Sequence, residues 1–430
     1  MKVAIAWYGA EGQSSYRYYT AKGDDVTIVT PKIGEEFPLP QGAQSITGED
    51  ALAHLKGFDL VLRSSGVRPD ALVTDGTIWS STNEFFAQCP APIIGVTGTK
   101  GKGTTASFIA SILRAAGKTV HLVGNIGVPP LDVLLVIQST DIVVFELSSF
   151  QLWDLTKSPH VAVVLLIEPD HLDVHRDMDE YVAAKANIVR YQTPEDIVFC
   201  HPLNKASNAV ARQSPGTVRH YADSGQGEVY IRDGAFWRDD ERICTTDAVT
   251  LQGAFNLENA CAAISAALQY TDDVAAVEQG LRDFTGLPHR LKLVRAVDGV
   301  DYYDDNYSSQ YAATIAAIAS FRDRPVILVA GGYDRGIDYR PLAEAIVQYR
   351  VKHVLLIGET AGTIATELSA LGYTPFRQLT DVTMQEIVAA ARAHAQPGDV
   401  VVMSPGCASF DMFANFTDRG NQFIEVVEAL

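Results

Sequence analysis

The sequence is short of cysteine, of positive charge and of long apolar runs. Its 430 residues hold five cysteines, Cys89, Cys200, Cys244, Cys261 and Cys407, with no CxxC pair among them. An odd, scattered count argues against a disulfide framework and suits a reduced, cytoplasmic protein. Lys and Arg number 34 against 52 Asp and Glu, a formal net charge of −18. Coating a nucleic acid or adhering to an anionic membrane needs a basic footprint, so neither partner is expected. A phosphorylated small substrate stays open, because a few backbone N–H groups hold phosphate even in an acidic protein. The longest apolar run, Val161–Ile167, falls far short of the roughly 20 residues that span a bilayer. At the start, MKVAIAWYGAEG breaks its apolar run with Gly and Glu, so no signal peptide is expected.

What is present is a globular composition, 47% hydrophobic and 20% charged, over a length that suits several domains. β-branched runs at 2–7, 25–29, 59–63, 92–97, 141–146 and 161–167 read as buried parallel strands, and 325–330, 353–358 and 399–404 continue the series. Amphipathic stretches lie between them, such as 104–116, where Phe108, Ile109, Ile112 and Leu113 share a face. Repeated strand–helix alternation predicts an α/β protein of doubly wound sheets. One exception is EVYIRDGAFW, where Asp233-Gly234 signals a hairpin. Prolines in QCPAP (88–92) and the break at FTGLPHR (284–290) divide the chain into domains at 1–91, 92–289 and 290–430. The outer two are expected to be Rossmann-like and the central one a P-loop mononucleotide-binding domain. A monomer is expected.

The strongest local signal is GVTGTKGKGTT, residues 95–105. A strand enters, Gly98, Gly101 and Gly103 keep the backbone bare, and a helix leaves. Phosphate oxygens can meet several N–H groups there, with Lys102 as counter-charge and Thr99, Lys100, Thr104 and Thr105 around them. Val96 stands where the strict P-loop pattern has its first Gly, and Gly103 follows the lysine. The segment predicts a nucleoside triphosphate site. The GxxG turn Gly9–Gly12, followed by Gln13, Ser14 and Ser15, fits either a diphosphate site or a plain turn with a helix cap. RSSGV, with Ser64 and Gly66, is a second candidate loop on the same sheet, so a nucleotide-linked substrate is expected there. Glu146 ends strand 141–146, where a Mg²⁺ ligand is expected across from a P-loop. IEPDHLDVH places Glu168, Asp170, His171, Asp173 and His175 at another strand end, where open parallel sheets bind ligands.

Four segments, GNIGVPPL (124–131), ELSSFQL (146–152), LPHR (287–290) and SPGCASFDMFANFTDRG (404–420), together resemble the Mur ligase family over nearly the whole chain. The resemblance implies UDP-N-acetylmuramoyl-L-alanine and D-glutamate as substrates, with ATP and two Mg²⁺ ions. It implies a UDP-binding domain, an ATP-binding domain and a C-terminal domain that brings the amino acid. Carried over by position, Lys102 and Thr104 look like triphosphate and Mg²⁺ contacts, Glu146 like a metal ligand and His171 like the ligand of a second Mg²⁺. Asn125 resembles a substrate-and-phosphate contact, and Lys185 the lysine that the family carbamylates. Asn256 and Asn259 resemble adenine contacts, and Arg290 and Asp305 resemble ATP contacts from the C-terminal domain. Ser409, Phe410 and Phe416 match positions that hold the incoming glutamate, and Ser148 falls in the same substrate set.

Two departures stand out. GKGT resembles the folylpolyglutamate ligases, a sister family without a separate domain before the P-loop. Tyr307 stands where a lysine is usual and Ser309 where a threonine is, so Arg335 is expected to supply the missing cation. The chemistry implied is amide-bond formation through an acyl phosphate, with preorganised charge on the phosphoryl oxygens and exclusion of water on closure. The alternatives are a folylpolyglutamate-type ligase, the same ligation with L-glutamate, and a P-loop protein that uses nucleotide as a switch.

Overall fold

The computed structural model describes residues 1–34, 36–222 and 227–430. The first β-branched run becomes β1 (Lys2–Ala6), followed by β2 (Asp25–Thr30), β3 (Gln44–Thr47), β4 (Leu60–Arg63) and β5 (Thr77–Ser80). They form a sheet in the order β3-β2-β1-β4-β5, parallel throughout. Its middle strands are apolar on both faces, as a sheet covered by helices on both sides requires. A second parallel sheet holds β6 (Ile93–Thr97), β7 (Val120–Gly124), β8 (Ile142–Glu146), β9 (Val161–Val164), β10 (Ile197–Cys200) and β11 (Thr217–His220). Its order is β11-β10-β9-β6-β8-β7. Strand order reverses at β1 in the first sheet and at β6 in the second, so each has a crevice at the carboxyl end of that strand.

The expected hairpin is present: β12 (Tyr230–Arg232) pairs antiparallel with β13 (Ala235–Arg238) across Asp233-Gly234. Both turn residues have positive φ, 50° and 69°, the pattern of a tight primed turn. A third strand, β14 (Glu241–Thr245), extends it; its charged start hides it from a periodicity search. The last sheet comprises β15 (Lys292–Val297), β16 (Val300–Asp304), β17 (Val326–Gly331), β18 (His353–Ile357), β19 (Phe376–Gln378) and β20 (Val400–Met403). The order is β15-β16-β20-β17-β18-β19, with only the β15–β16 pair antiparallel.

The chain packs into two compact units, residues 1–249 with 257–284, and 250–256 with 285–430. In the first unit the helix Lys102–Ala115 buries Phe108, Ile109, Ile112 and Leu113 completely, the face expected from their spacing. Burying each such side chain is worth about 1.5–3 kcal/mol. One apolar core runs from Ile5 and Phe85 to Phe145 and Val164, joining both parallel sheets of this unit. The second unit packs helices on the two faces of its sheet, around Leu328 and Ile346 on one side and Val329 and Phe423 on the other. Among the described residues no helix is long and apolar enough to cross a membrane.

Candidate active site

The loop after β6 carries the predicted phosphate contacts to the start of the helix Lys102–Ala115. Gly101 caps that helix with φ 83°, and no side chain caps it. A glycine is required there, since a Cβ would lie 2.4 Å from Asn259 Oδ1. A helix N-terminus without a side-chain cap leaves first-turn N–H groups for an anion. Lys102 Nζ donates to the Gly98 and Thr99 carbonyls at 3.2 and 2.9 Å, folding the ammonium back over the loop. Thr99 is locked from beneath: its hydroxyl meets Tyr181 OH at 3.0 Å and accepts from the Glu168 N–H at 2.9 Å. Lys100 is exposed and Gly98 and Gly103 are buried, while Thr104 is half-buried. The Thr105 hydroxyl is buried without a hydrogen-bond partner among the described residues. Bare helix start, adjacent ammonium and available hydroxyls fit a triphosphate.

Glu146 is buried at the end of β8, paired in register beside Val96 of β6. The GNIG turn folds against it, and Gly124 is needed because a Cβ would meet the Glu146 carbonyl at 2.2 Å. Asn125 therefore reaches Glu146 twice, donating its backbone N–H to the carbonyl at 3.1 Å and its amide to Oε1 at 3.5 Å. Lys185 is 1% exposed. Its Nζ donates to the Gly98 carbonyl at 2.8 Å and lies 4.5 Å from the Tyr181 ring centre. Burial first, and the neighbouring Lys102 charge second, hold this amine well below the ordinary lysine range, while Asp170 and Glu146 oppose the shift. Lys102, Glu146, Asp170 and Lys185 thus form one electrostatic neighbourhood around the P-loop. The carboxylate and hydroxyl oxygens of Glu146 and Thr104 are hard donors of the kind Mg²⁺ takes. No group of three His, Cys, Asp or Glu gathers into a metal cage among the described residues.

His171 lies at the exposed end of this region, in a left-handed conformation with φ 54°, 3.6 Å from Asp170. His175 is buried against Phe150 and Trp153, and burial lowers its pKa. Asn259 belongs to the P-loop wall through Gly101, whereas the Asn256 amide donates to the Gln252 carbonyl at 2.7 Å in the other unit.

In the first sheet the helix after β1 starts at Ala10, with Gly9 at its cap. Gly12, Gln13 and Ser14 therefore lie inside the helix and cap nothing; a glycine cap carries no side-chain signal. Ser14 is buried and donates to Asp132 at 2.9 Å. Ser64 donates its hydroxyl to the Trp7 carbonyl at 2.9 Å, and Gly66 is exposed beyond it. Ser148 caps the short helix Ser149–Leu152 in a capping box with Gln151.

In the second unit Arg290 lies over the Tyr307 ring at 3.9 Å, and Phe416 meets that ring edge-on at 5.2 Å. Asp305 points inward, accepting from the Leu291 N–H and from the Ser308 and Ser404 hydroxyls at 2.9, 2.6 and 2.6 Å. Burial raises its carboxyl pKa to about 6. Ser409 is buried, Phe410 is 64% exposed and Arg335 is exposed. Phe413 packs on the core, and Cys407 is buried with its thiol pKa raised.

Two sets of residues escape motif reading. Arg419, fully buried, donates to Asn306 Oδ1 at 2.7 Å, while Asn306 and His289 bind the two oxygens of Asp304 at 2.8 and 2.7 Å. LPHR and TDRG contain two of these residues, yet nothing local says that they meet. The other set is Glu11, Arg63 and Gln151, which join distant segments through the Glu11–Ser65, Arg63–Asp154 and Gln151–Glu11 contacts.

The Mur ligase middle domain model matches residues 96–267, and the Mur ligase, glutamate ligase domain model matches residues 289–407. The chain is 41% identical to the UDP-N-acetylmuramoylalanine--D-glutamate ligase of Acetivibrio thermocellus, covering 100% of this chain and 96% of that protein. With the ligase of the same name from Symbiobacterium thermophilum the identity is 38%, covering 100% and 98%. Among solved structures, the UDP-N-acetylmuramate-alanine ligase of Thermotoga maritima superposes with a TM-score of 0.65 at 16% identity, covering 100% and 99%. On full-length identity and the matching domains, the chain belongs to the Mur ligase family.

Proposed function

We propose that this protein is an ATP-dependent ligase that joins D-glutamate to UDP-N-acetylmuramoyl-L-alanine, a step in peptidoglycan precursor synthesis. The observation that carries the reading is the match, over the whole chain, to two D-glutamate ligases. We divide the chain into a UDP-substrate domain (1–91), an ATP domain (92–289) and an amino-acid domain (290–430). The alanyl carboxylate takes the γ-phosphoryl group of ATP, giving an acyl phosphate and ADP; the amine of glutamate then attacks the carbonyl carbon, and phosphate leaves as the amide forms. The P-loop N–H groups and Lys102 hold negative charge at the loop, where preorganised donors act most strongly. Thr104 and Glu146 are the Mg²⁺ ligands in this proposal, joined by His171 and a carbamate on Lys185 for a second ion. The depressed basicity of Lys185 supports that modification, because only the neutral amine combines with CO₂. Asn125, tied to Glu146 at both ends, orients the substrate beside the metal. Arg335, Ser409, Phe410 and Phe416 are assigned to glutamate.

An amino-acid panel tests the reading, with purified protein, ATP, Mg²⁺, UDP-N-acetylmuramoyl-L-alanine and phosphate release as readout. D-Glutamate is the expected acceptor. Preference for L-glutamate, or a folate acting in place of the UDP-sugar, overturns the assignment. ATP hydrolysis indifferent to both substrates would instead favour a nucleotide switch.

A further inference from the structure

Two loops described above are joined by a polar relay that the proposed chemistry does not use. Glu11, in the first turn of the helix after β1, accepts the Ser65 N–H on Oε2 at 3.0 Å. Its other oxygen accepts from Gln151 Nε2 at 2.9 Å. The Gln151 side-chain oxygen Oε1 in turn accepts the Ser148 N–H and hydroxyl at 3.0 and 3.2 Å. One carboxylate therefore ties the Ser64–Gly66 loop of the first sheet to the turn that directly follows Glu146 in the second. Each half of the tie is a charge-assisted hydrogen bond, the stronger kind.

A second contact joins the same two segments from the other side. Arg63, with a fully buried side chain, donates to the Ser64 and Val67 carbonyls at 3.3 and 2.8 Å. It also donates to the Phe150 carbonyl at 2.9 Å and to both oxygens of Asp154 at 2.7 and 2.8 Å. Arg63 anchors the base of the loop and its return, and Glu11 takes the Ser65 N–H between them. The two contacts differ in character. Arg63 is sealed in the interior with five acceptors, whereas Glu11 is partly exposed and its loss leaves that anchor in place.

We infer that Glu11 is a positioning residue, which fixes the Ser64–Gly66 loop against the Ser148–Gln151 turn so that the nucleotide-sugar loop and the Glu146 strand end keep one geometry. This rests on the proposed function, which puts the UDP-substrate in the first domain and the metal at Glu146, with the Ser64–Gly66 loop taken as the substrate's contact there. The loop sets where the far end of a long substrate falls. A small error in placing a reacting group is expensive in rate, so Glu11 acts on the alignment of the alanyl carboxylate without touching it.

The test is a swap of the amide and the carboxylate. Glu11→Gln sets one amide NH₂ against another or leaves the Ser65 N–H facing a donor. Gln151→Glu sets two carboxylates together. The double variant restores the relay with its polarity reversed: the amide at 11 donates to the carboxylate at 151 and still accepts from Ser65. Two readouts are taken, hydrogen exchange of the peptides containing Ser65 and Ser148–Leu152, and KM for the UDP-substrate beside KM for ATP. Each single variant is expected to speed exchange in both peptides and to raise KM for the UDP-substrate roughly tenfold, the worth of one such bond. KM for ATP is expected to change little, and the double variant to return both readouts to within about threefold of wild type. Should Gln151→Glu fail to fold, Glu11→Gln and Glu11→Ala carry the same comparison. Exchange at the wild-type rate in Glu11→Gln, an unmoved KM for the UDP-substrate, or a folded double variant no better than the singles overturns the inference. If wild-type protein turns over no UDP-sugar at all, the functional reading fails, and the exchange data decide the relay by themselves.

Discussion

Gly101→Ala separates two effects that meet at one atom. Gly101 has φ 83°, and an added Cβ would sit 2.4 Å from Oδ1, 3.2 Å from Cγ and 3.3 Å from Nδ2 of Asn259. The left-handed conformation costs an alanine about 1–2 kcal/mol. That strain is present with or without nucleotide, so it appears as lost stability, roughly 2 to 8 °C in apparent Tm for a unit of this size. The collision is different, because it is relieved when the Asn259 amide swings away from the loop. If Asn259 contacts the nucleotide, its displacement costs about one hydrogen bond, 0.5–1.5 kcal/mol, or roughly two- to tenfold in affinity. Calorimetric titration with a non-hydrolysable ATP analogue and Mg²⁺, together with thermal melts, measures the two separately. In an Asn259→Ala background, Gly101→Ala should still lower Tm but no longer weaken nucleotide binding. The same loss of affinity in both backgrounds, or none in the wild-type background, would refute the argument.

The remaining predictions concern buried charge. Lys185→Ala should lose most of its turnover, and acetate, but not methylamine, should restore part of it; rescue by the amine alone speaks against a carbamate. Asp305 has a carboxyl raised from 3.8 to about 6, so between these values the folded protein keeps a proton that the unfolded chain has released. Stability should therefore fall as pH rises through that window, by up to about 3 kcal/mol; Asp305→Asn should flatten the fall in a pH series of melts, and an unchanged slope would count against it. Arg63→Met should destabilise the first unit by about 3–5 kcal/mol, since it strands three carbonyls and a carboxylate. Asp154→Asn should cost a similar amount, because it leaves the Arg63 guanidinium, whose side chain is 0% exposed, buried without its counter-charge; a near-neutral effect of Asp154→Asn in unfolding curves would contradict this.

The parallel strands were legible because β-branched runs covered on both faces leave a continuous apolar trace, as in β6, whose five residues are all buried. The expected strand at 161–167 is longer than β9. β9 stops at Val164, and the apolar Leu165–Ile167 leads on as irregular chain: the Leu165 N–H still bonds the Thr97 carbonyl at the end of β6, but beyond it the Thr99 N–H bonds the Leu166 carbonyl, out of step with the ladder. Composition cannot show where a ladder ends. The P-loop was legible for a local reason: consecutive residues carry glycine, lysine and hydroxyl together. Contacts between distant segments left no such trace. Glu11 and Gln151 are 140 residues apart; each sits in a recognisable segment, but nothing in either segment says that the two meet. Tyr307 was visible as a departure from the family pattern, but its place between Arg290 and Phe416 came only from the fold.

The order of strands in the last sheet also bears on how the protein is made. β20, the final strand, is inserted between β16 and β17, where Tyr302 pairs with Val401 and Leu328 with Val402. Until residue 403 has left the ribosome, β16 and β17 have no strand to join them, and their facing edges stay open. The first sheet has no such dependence, for its five strands are all in hand by Ser80. Synthesis from the N-terminus thus delivers a closed leading sheet early. The trailing sheet waits for its centre, and non-local closure of this kind is slow. A ribosome stalled between β19 and β20 would hold a chain with two long, apolar strand edges exposed, the state most in need of a chaperone.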